Sequence, residues 1–110
     1  MDRKKELLME YRRRKREMGV FLFECAEGGR YIGRADDPKG AINKNVFQLK
    51  MGSHPNKRLQ KEWAEHGEAA FSARVVDSLE YDEETKEECA EELAMLFDDW
   101  KLKLKNAEVV

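Results

Sequence analysis

The sequence predicts a small α+β domain, a three-stranded antiparallel sheet flanked by helices, and three observations carry that prediction. Residues 19–33, GVFLFECAEGGRYIG, hold two short runs of strand-forming residues on either side of a Gly28-Gly29 pair, which is the pattern of a β-hairpin. Residues 71–79, FSARVVDSL, alternate loosely around a Val75-Val76 pair and predict a third strand. Near the C-terminal end, Cys89, Leu93, Leu96, Phe97, Trp100 and Leu104 recur at helical spacing, so a long amphipathic helix is expected over about 82–104, its stripe turned to the sheet.

The remaining elements follow in order. Residues 2–17 read as a basic helix with a thin apolar stripe of Leu7, Leu8 and Tyr11. Arg12 to Arg16 close it where cations complement the helix dipole. After the hairpin, Asp36-Asp37-Pro38 offers an N-cap followed by proline at the first helical position, starting a helix that runs to about Lys50. Met51 to Pro55 break it. Asn56 caps the next helix, which places Leu59 and Trp63 one turn apart and ends at Gly67. The expected order is α-β-β-α-α-β-α, with residues 1–17 as the basic helix, 18–105 as the domain and 106–110 as a frayed tail.

A length of 110 residues allows one domain with one modest core, and 41% hydrophobic content is enough to build it. The longest apolar run, Val20 to Phe23, is far too short to span a bilayer, and no apolar stretch follows the N-terminal charges, so no membrane association is expected and a cytoplasmic location is. Cys25 and Cys89 lack metal-ligand spacing and read as reduced thiols; a zinc site has no support. The net charge of −2 conceals segregation. Residues 1–20 carry eight Lys/Arg against four acids, residues 37–63 six against two, and residues 77–99 eleven acids against one lysine. A basic face of this kind attracts phosphate backbones, although charge-rich helices are also simply solvated.

The hairpin ends in Tyr31-Ile32-Gly33 and opens with Gly19-Val20-Phe21, and downstream Asn56, Leu59, Trp63, Gly67 and Phe71 stand at a fixed spacing. Together with the connection 47–56, these residues resemble the GIY-YIG nuclease family, in its small single-domain bacterial or phage form, over about residues 17–104. The resemblance implies a GIY-YIG-like fold. It also implies a phosphodiester endonuclease site made of two hairpin tyrosines, an arginine on the first helix of the domain, a His or Tyr one turn later, and a glutamate on the last helix holding one divalent metal. Hydroxyl, cation and carboxylate would serve to polarise water, neutralise the phosphorane and fix the ion. Carried onto this chain without gaps, those positions are Phe21, Tyr31, Ala41, Asn45 and Phe97. Tyr31 alone retains the family residue, and no carboxylate remains in the set to hold Mg²⁺ or Mn²⁺.

The expectation is therefore a GIY-YIG-like domain that has lost catalysis and binds DNA or RNA, or a partner, through its fold. The residues expected to touch nucleic acid are Tyr31, Arg34, Lys39, Lys44, Lys50, Lys57, Arg58 and Lys61. No metal ligand and no cofactor is expected. Two alternatives remain. One is an active Mg²⁺- or Mn²⁺-dependent endonuclease with relocated ligands, for which Arg34, Glu91, Glu92 and Asp98 are the nearest substitutes. The other is an interaction module whose acidic 77–99 region docks a basic protein. Phe21, Tyr31, Ala41 and Phe97 are expected to converge, with Phe97 as core filling the vacated pocket. His54 and His66 stand in a turn and a helix end with no nucleophile or second histidine at useful spacing, so neither is expected to be catalytic.

Overall fold

The computed structural model describes residues 16–110. The predicted basic helix falls on residues outside that range except for Arg16 and Glu17, which open the first strand instead. The chain runs β1 (Arg16–Cys25), β2 (Arg30–Ala35), α1 (Pro38–Met51), α2 (Lys57–His66), a 3₁₀ turn (Glu68–Ala70), β3 (Phe71–Tyr81), α3 (Lys86–Lys103) and β4 (Glu108–Val109). Among the described residues the sheet has four strands in the order β3-β1-β2-β4, one more than expected. The added strand lies in the segment read as a frayed tail. Residues 108–109 run parallel to β2, Glu108 opposite Tyr31, and the Val110 amide donates to the Ile32 carbonyl at 3.0 Å. Two residues are too short for a pairing signal in sequence.

β1 is central because it is apolar on both faces. Met18, Val20 and Leu22 point to one side, while Phe21 and Phe23 point to the other, all essentially buried. Two cores result. α3 covers the Val20/Leu22/Ile32 face, laying Leu93 and Phe97 on it, with Cys89, Leu96, Trp100 and Leu104 packed around them, as the helical stripe predicted. α1 and α2 cover the Phe21/Phe23/Tyr31 face with Leu49 and Leu59. Both cysteines are free, Cys25 buried and Cys89 half-buried.

Local chemistry fixes the ends of the elements. Asp37 caps α1 by accepting the Gly40 amide at 3.1 Å, and Asn56 caps α2 by accepting the Leu59 amide at 3.1 Å. α3 begins four residues later than its periodicity suggested. The Asp82 carboxylate accepts the Glu84 and Thr85 amides at 2.9 Å, holding 82–85 as a turn rather than a first helical turn. Opposite Val20-Phe21 the β3 ladder slips by one residue at Val76, a β-bulge.

The two namesake glycines are sites of close approach. A Cβ on Gly19 would stand 2.7 Å from the Asp77 carbonyl oxygen. One on Gly33 would strike the Phe21 ring from the neighbouring strand and stand 2.8 Å from a Val110 methyl. The glycines of the motif are therefore explained by packing alone.

Candidate functional site on the Tyr31 face

Tyr31 sits on β2 beside Phe23 of β1 and is 1% exposed. Its hydroxyl reaches through the layer to α2 and donates to Glu62 Oε1 at 2.5 Å. Glu62 is itself mostly covered, and Arg58 one turn earlier places Nε 3.7 Å from the same carboxylate oxygen. Arg58 Nη1 then donates to Glu108 Oε1 on β4 at 2.7 Å. Asn56 closes the arrangement: while its Oδ1 caps α2, its Nδ2 donates to the Val109 carbonyl at 2.8 Å. The result is a chain of polar contacts, Tyr31–Glu62–Arg58–Glu108, with β4 and α2 clasped over the tyrosine.

The electrostatics follow from that enclosure. Burial first, then the hydrogen bond to Glu62 and the charge of that carboxylate, push the Tyr31 phenol above its usual range. A phenol that donates to a carboxylate in a covered site is held protonated. Its chemistry here is that of a strut between sheet and helix.

A second buried polar group lies on the same face. His54, 6% exposed in the α1–α2 connection, accepts the Asn56 amide at Nδ1 (3.0 Å) and holds Nε2 2.6 Å from Asn45 Oδ1. Because Nδ1 accepts, Nε2 carries the proton and donates, and Asn45 turns its own amide to the Ala41 carbonyl at 2.7 Å. Burial holds the imidazole below its usual pKa range. Asn45 is thus spent on pinning the helix-to-helix turn.

The predicted site residues divide accordingly. Phe21, Tyr31 and Ala41 share one core cluster, but Phe97 lies in the other, across the sheet, so the expected four-residue convergence does not form. Phe97 packs where the Arg34 guanidinium stands 5.3 Å from its ring centroid and the Lys101 ammonium 5.6 Å. Arg34, three residues beyond Tyr31, projects to the opposite face of the strand and cannot complement it. Tyr31, expected to touch nucleic acid, is withdrawn from any surface by burial. Lys39, Lys44 and Lys50 are exposed on α1, and Lys57, Arg58 and Lys61 on α2, with Arg58 committed to Glu108 and Lys61 lying 3.9 Å from Glu65. His66 ends α2 near Glu65.

Sequence reasoning missed Glu62, the carboxylate that does reach Tyr31, and it missed the partners of His54. Glu62 lies one turn after Arg58 on the helix capped by Asn56, and that spacing was the available signal. The positions the resemblance gives to the metal site do not fit a divalent ion. Phe97 offers no oxygen, and the two charged groups over its ring, Arg34 and Lys101, are cations. Glu62 is already engaged by Tyr31 and Arg58. Among the described residues no three His, Cys, Asp or Glu side chains gather as a ligand group. Beside α3, however, Arg34, Asp36 and Glu91 line one open hollow of about 420 Å³ with Leu93 at its base.

With this geometry in place, comparison with solved structures is decisive for the architecture. The catalytic domain of the homing endonuclease I-TevI superposes with a TM-score of 0.64 at 19% identity, covering 79% of this chain and 87% of that one. The fold is GIY-YIG-like. A mutant of the same intron endonuclease domain gives 0.64 at 18% identity, covering 80% and 84%. No protein-family model matches the sequence, and no curated protein matches it. Among the described residues, no helix of this GIY-YIG-like domain is long and apolar enough to cross a membrane.

Proposed function

We propose that this GIY-YIG-like domain has exchanged phosphodiester cleavage for binding, and that its ligand is DNA or RNA. The observation that carries the reading is the state of the Tyr31 hydroxyl, the one retained group of the family's set. It is buried, donates to Glu62, and is pushed away from ionisation. Around it Phe21, Ala41 and Asn45 supply ring packing, a methyl and a structural amide. Loss of one charge-stabilising group lowers catalysis by about a hundredfold or more, and four of the five positions differ. Binding is separable from this loss, because the exposed lysines of α1 and α2 lie outside the enclosed network.

The test is a nicking assay on plasmid and on single-stranded DNA with Mg²⁺ or Mn²⁺, beside a binding titration at two salt concentrations. Background nicking with salt-sensitive binding is expected. Metal-dependent nicking that vanishes in Tyr31→Phe would refute the proposal.

A second reading, an endonuclease with relocated ligands, is favoured by the hollow that gathers Arg34, Asp36 and Glu91. Glu91 and Asp36 would supply the hard oxygens that Mg²⁺ takes. Lys86 Nζ already stands 3.3 Å from Asp36 Oδ2 and competes for it. This reading expects nicking that is lost in Glu91→Gln and indifferent to Tyr31→Phe.

A further inference from the structure

The outer face of α1 combines features that neither the fold nor the Tyr31 network uses. The helix, PKGAINKNVFQLKM, holds three lysines and no acid. Phe47 and Met51, one turn apart, are 65% and 66% exposed. Single exposed apolar residues need no explanation, but here two large ones are adjacent. At the helical period, Lys44 lies on one side of them and Lys39 and Lys50 on the other. Lys39 and Lys44 make no ion pair among the described residues. Lys50 stands 3.4 Å from Glu68 Oε1, with both side chains more than half exposed, a weak contact that a phosphate can displace.

We infer that this face is a stacking platform for an unpaired nucleic-acid strand, with Phe47 under a base, Met51 beside it, and Lys39, Lys44 and Lys50 on the flanking phosphates. The inference rests on the nucleic-acid reading above and narrows it to single strands. A duplex keeps its base faces inside the stack, so it would engage the lysines and leave the ring in water. A single strand presents both a base face and a phosphate chain, and every base has a face to offer. DNA and RNA share that chemistry.

Among the described residues a surface on α3 of this same chain complements α1. On α3, Met95 and Leu102 are 64% and 79% exposed among Glu91, Glu92, Asp98 and Asp99. A second copy seated α3-on-α1 is therefore the competing occupant that the experiment has to separate.

The experiment is fluorescence anisotropy with labelled oligo(dT), oligo(U) and a mixed-sequence duplex, each of about fifteen nucleotides or base pairs. Tighter binding of either single strand than of the duplex is expected, and the stronger of the two identifies the sugar. Phe47→Ala should weaken single-strand binding by about tenfold or more. Phe47→Trp should retain it, with indole fluorescence quenched on binding. Residue 47 is a surface position, so both variants should melt like the parent. Three phosphate contacts give a slope of log affinity against log salt of about −2, and Lys44→Gln should reduce it by about 0.7. Equal affinity for duplex and single strand, unchanged in Phe47→Ala, would overturn this inference and leave the broader reading standing. Failure to bind any oligonucleotide would overturn both. Salt-sensitive self-association lost in Phe47→Ala and in Met95→Ala would then assign the face to a second copy.

Discussion

Replacing Tyr31 by phenylalanine removes one oxygen and tests whether the network beneath β4 is a structural strut. The hydroxyl is buried and donates to a carboxylate that is 18% exposed at its side chain. A hydrogen bond to a charged group contributes about 1.5–3 kcal/mol net. Arg58 still faces Glu62 in the variant, and some water reaches the carboxylate, so the lower part of that range applies, about 1.5–2 kcal/mol. For a domain of this size that is a fall in Tm on the order of 5–10 °C. Glu62→Gln keeps an acceptor for the phenol and should cost less; Glu62→Leu strands the phenol and should cost more. Denaturant unfolding measures the three variants, and ultraviolet titration of the phenols supplies an independent readout. A phenol whose pKa is higher folded than unfolded contributes stability that is fully present below its unfolded pKa, about 10, and is lost as pH rises beyond it. The parent should thus destabilise more steeply than Tyr31→Phe in alkaline solution. A Tyr31→Phe variant as stable as the parent, with a parent phenol titrating in the ordinary range, would refute the strut.

Further outcomes follow from the same face. His54, held below its usual pKa, contributes stability that is present above about pH 6.5 and lost as pH falls through its lower folded value; His54→Gln should flatten the acid limb of a stability–pH curve. Gly33→Ala should cost about 1–3 kcal/mol by driving a methyl into the Phe21 ring, and Phe21→Leu in the same chain should recover part of it, measured by denaturant midpoint. Asn56→Ala removes both a helix cap and the bond to Val109; about 1 kcal/mol from the cap and loss of hydrogen-exchange protection at the Val110 amide are expected.

The fold was legible wherever several residues repeated one signal. The strand-forming runs flanking Gly28-Gly29, the paired caps Asp37 and Asn56, and the α3 stripe each had a turn pair, a capping residue or a period to declare them. β4 had neither, since two residues carry no period and its partners, Asn56 and Arg58, lie some fifty positions earlier. The site was legible by parity only in part. Phe21 and Tyr31 lie on one face, diagonal to each other across the hairpin, as its register requires. Phe97 was placed by counting along a helix whose stripe is apolar throughout, and nothing in such a stripe says which face of the sheet it covers. Tyr31's true partner was hidden for a related reason: Glu62 sits among the ordinary surface charges of α2, and only the docking angle of that helix turns it inward.

The bulge at Val76 has a consequence for neighbours the chain should not acquire. β3 is an edge strand among the described residues, eleven residues long, with Val75 and Val76 at its middle and an aromatic residue at each end. A flat edge of that length invites strands from other molecules to add on, the first step toward fibrous growth. An extra residue at Val76 breaks the repeat and increases the local twist, so an incoming strand can pair above or below it but not continuously across it. Arg74 and Asp77 bracket the interruption with charge. Deleting Val76 would leave Val75 and Asp77 alternating opposite Phe21 and Val20 and restore an even ladder with every other pair kept, which makes the irregularity a guard on solubility as well as a kink.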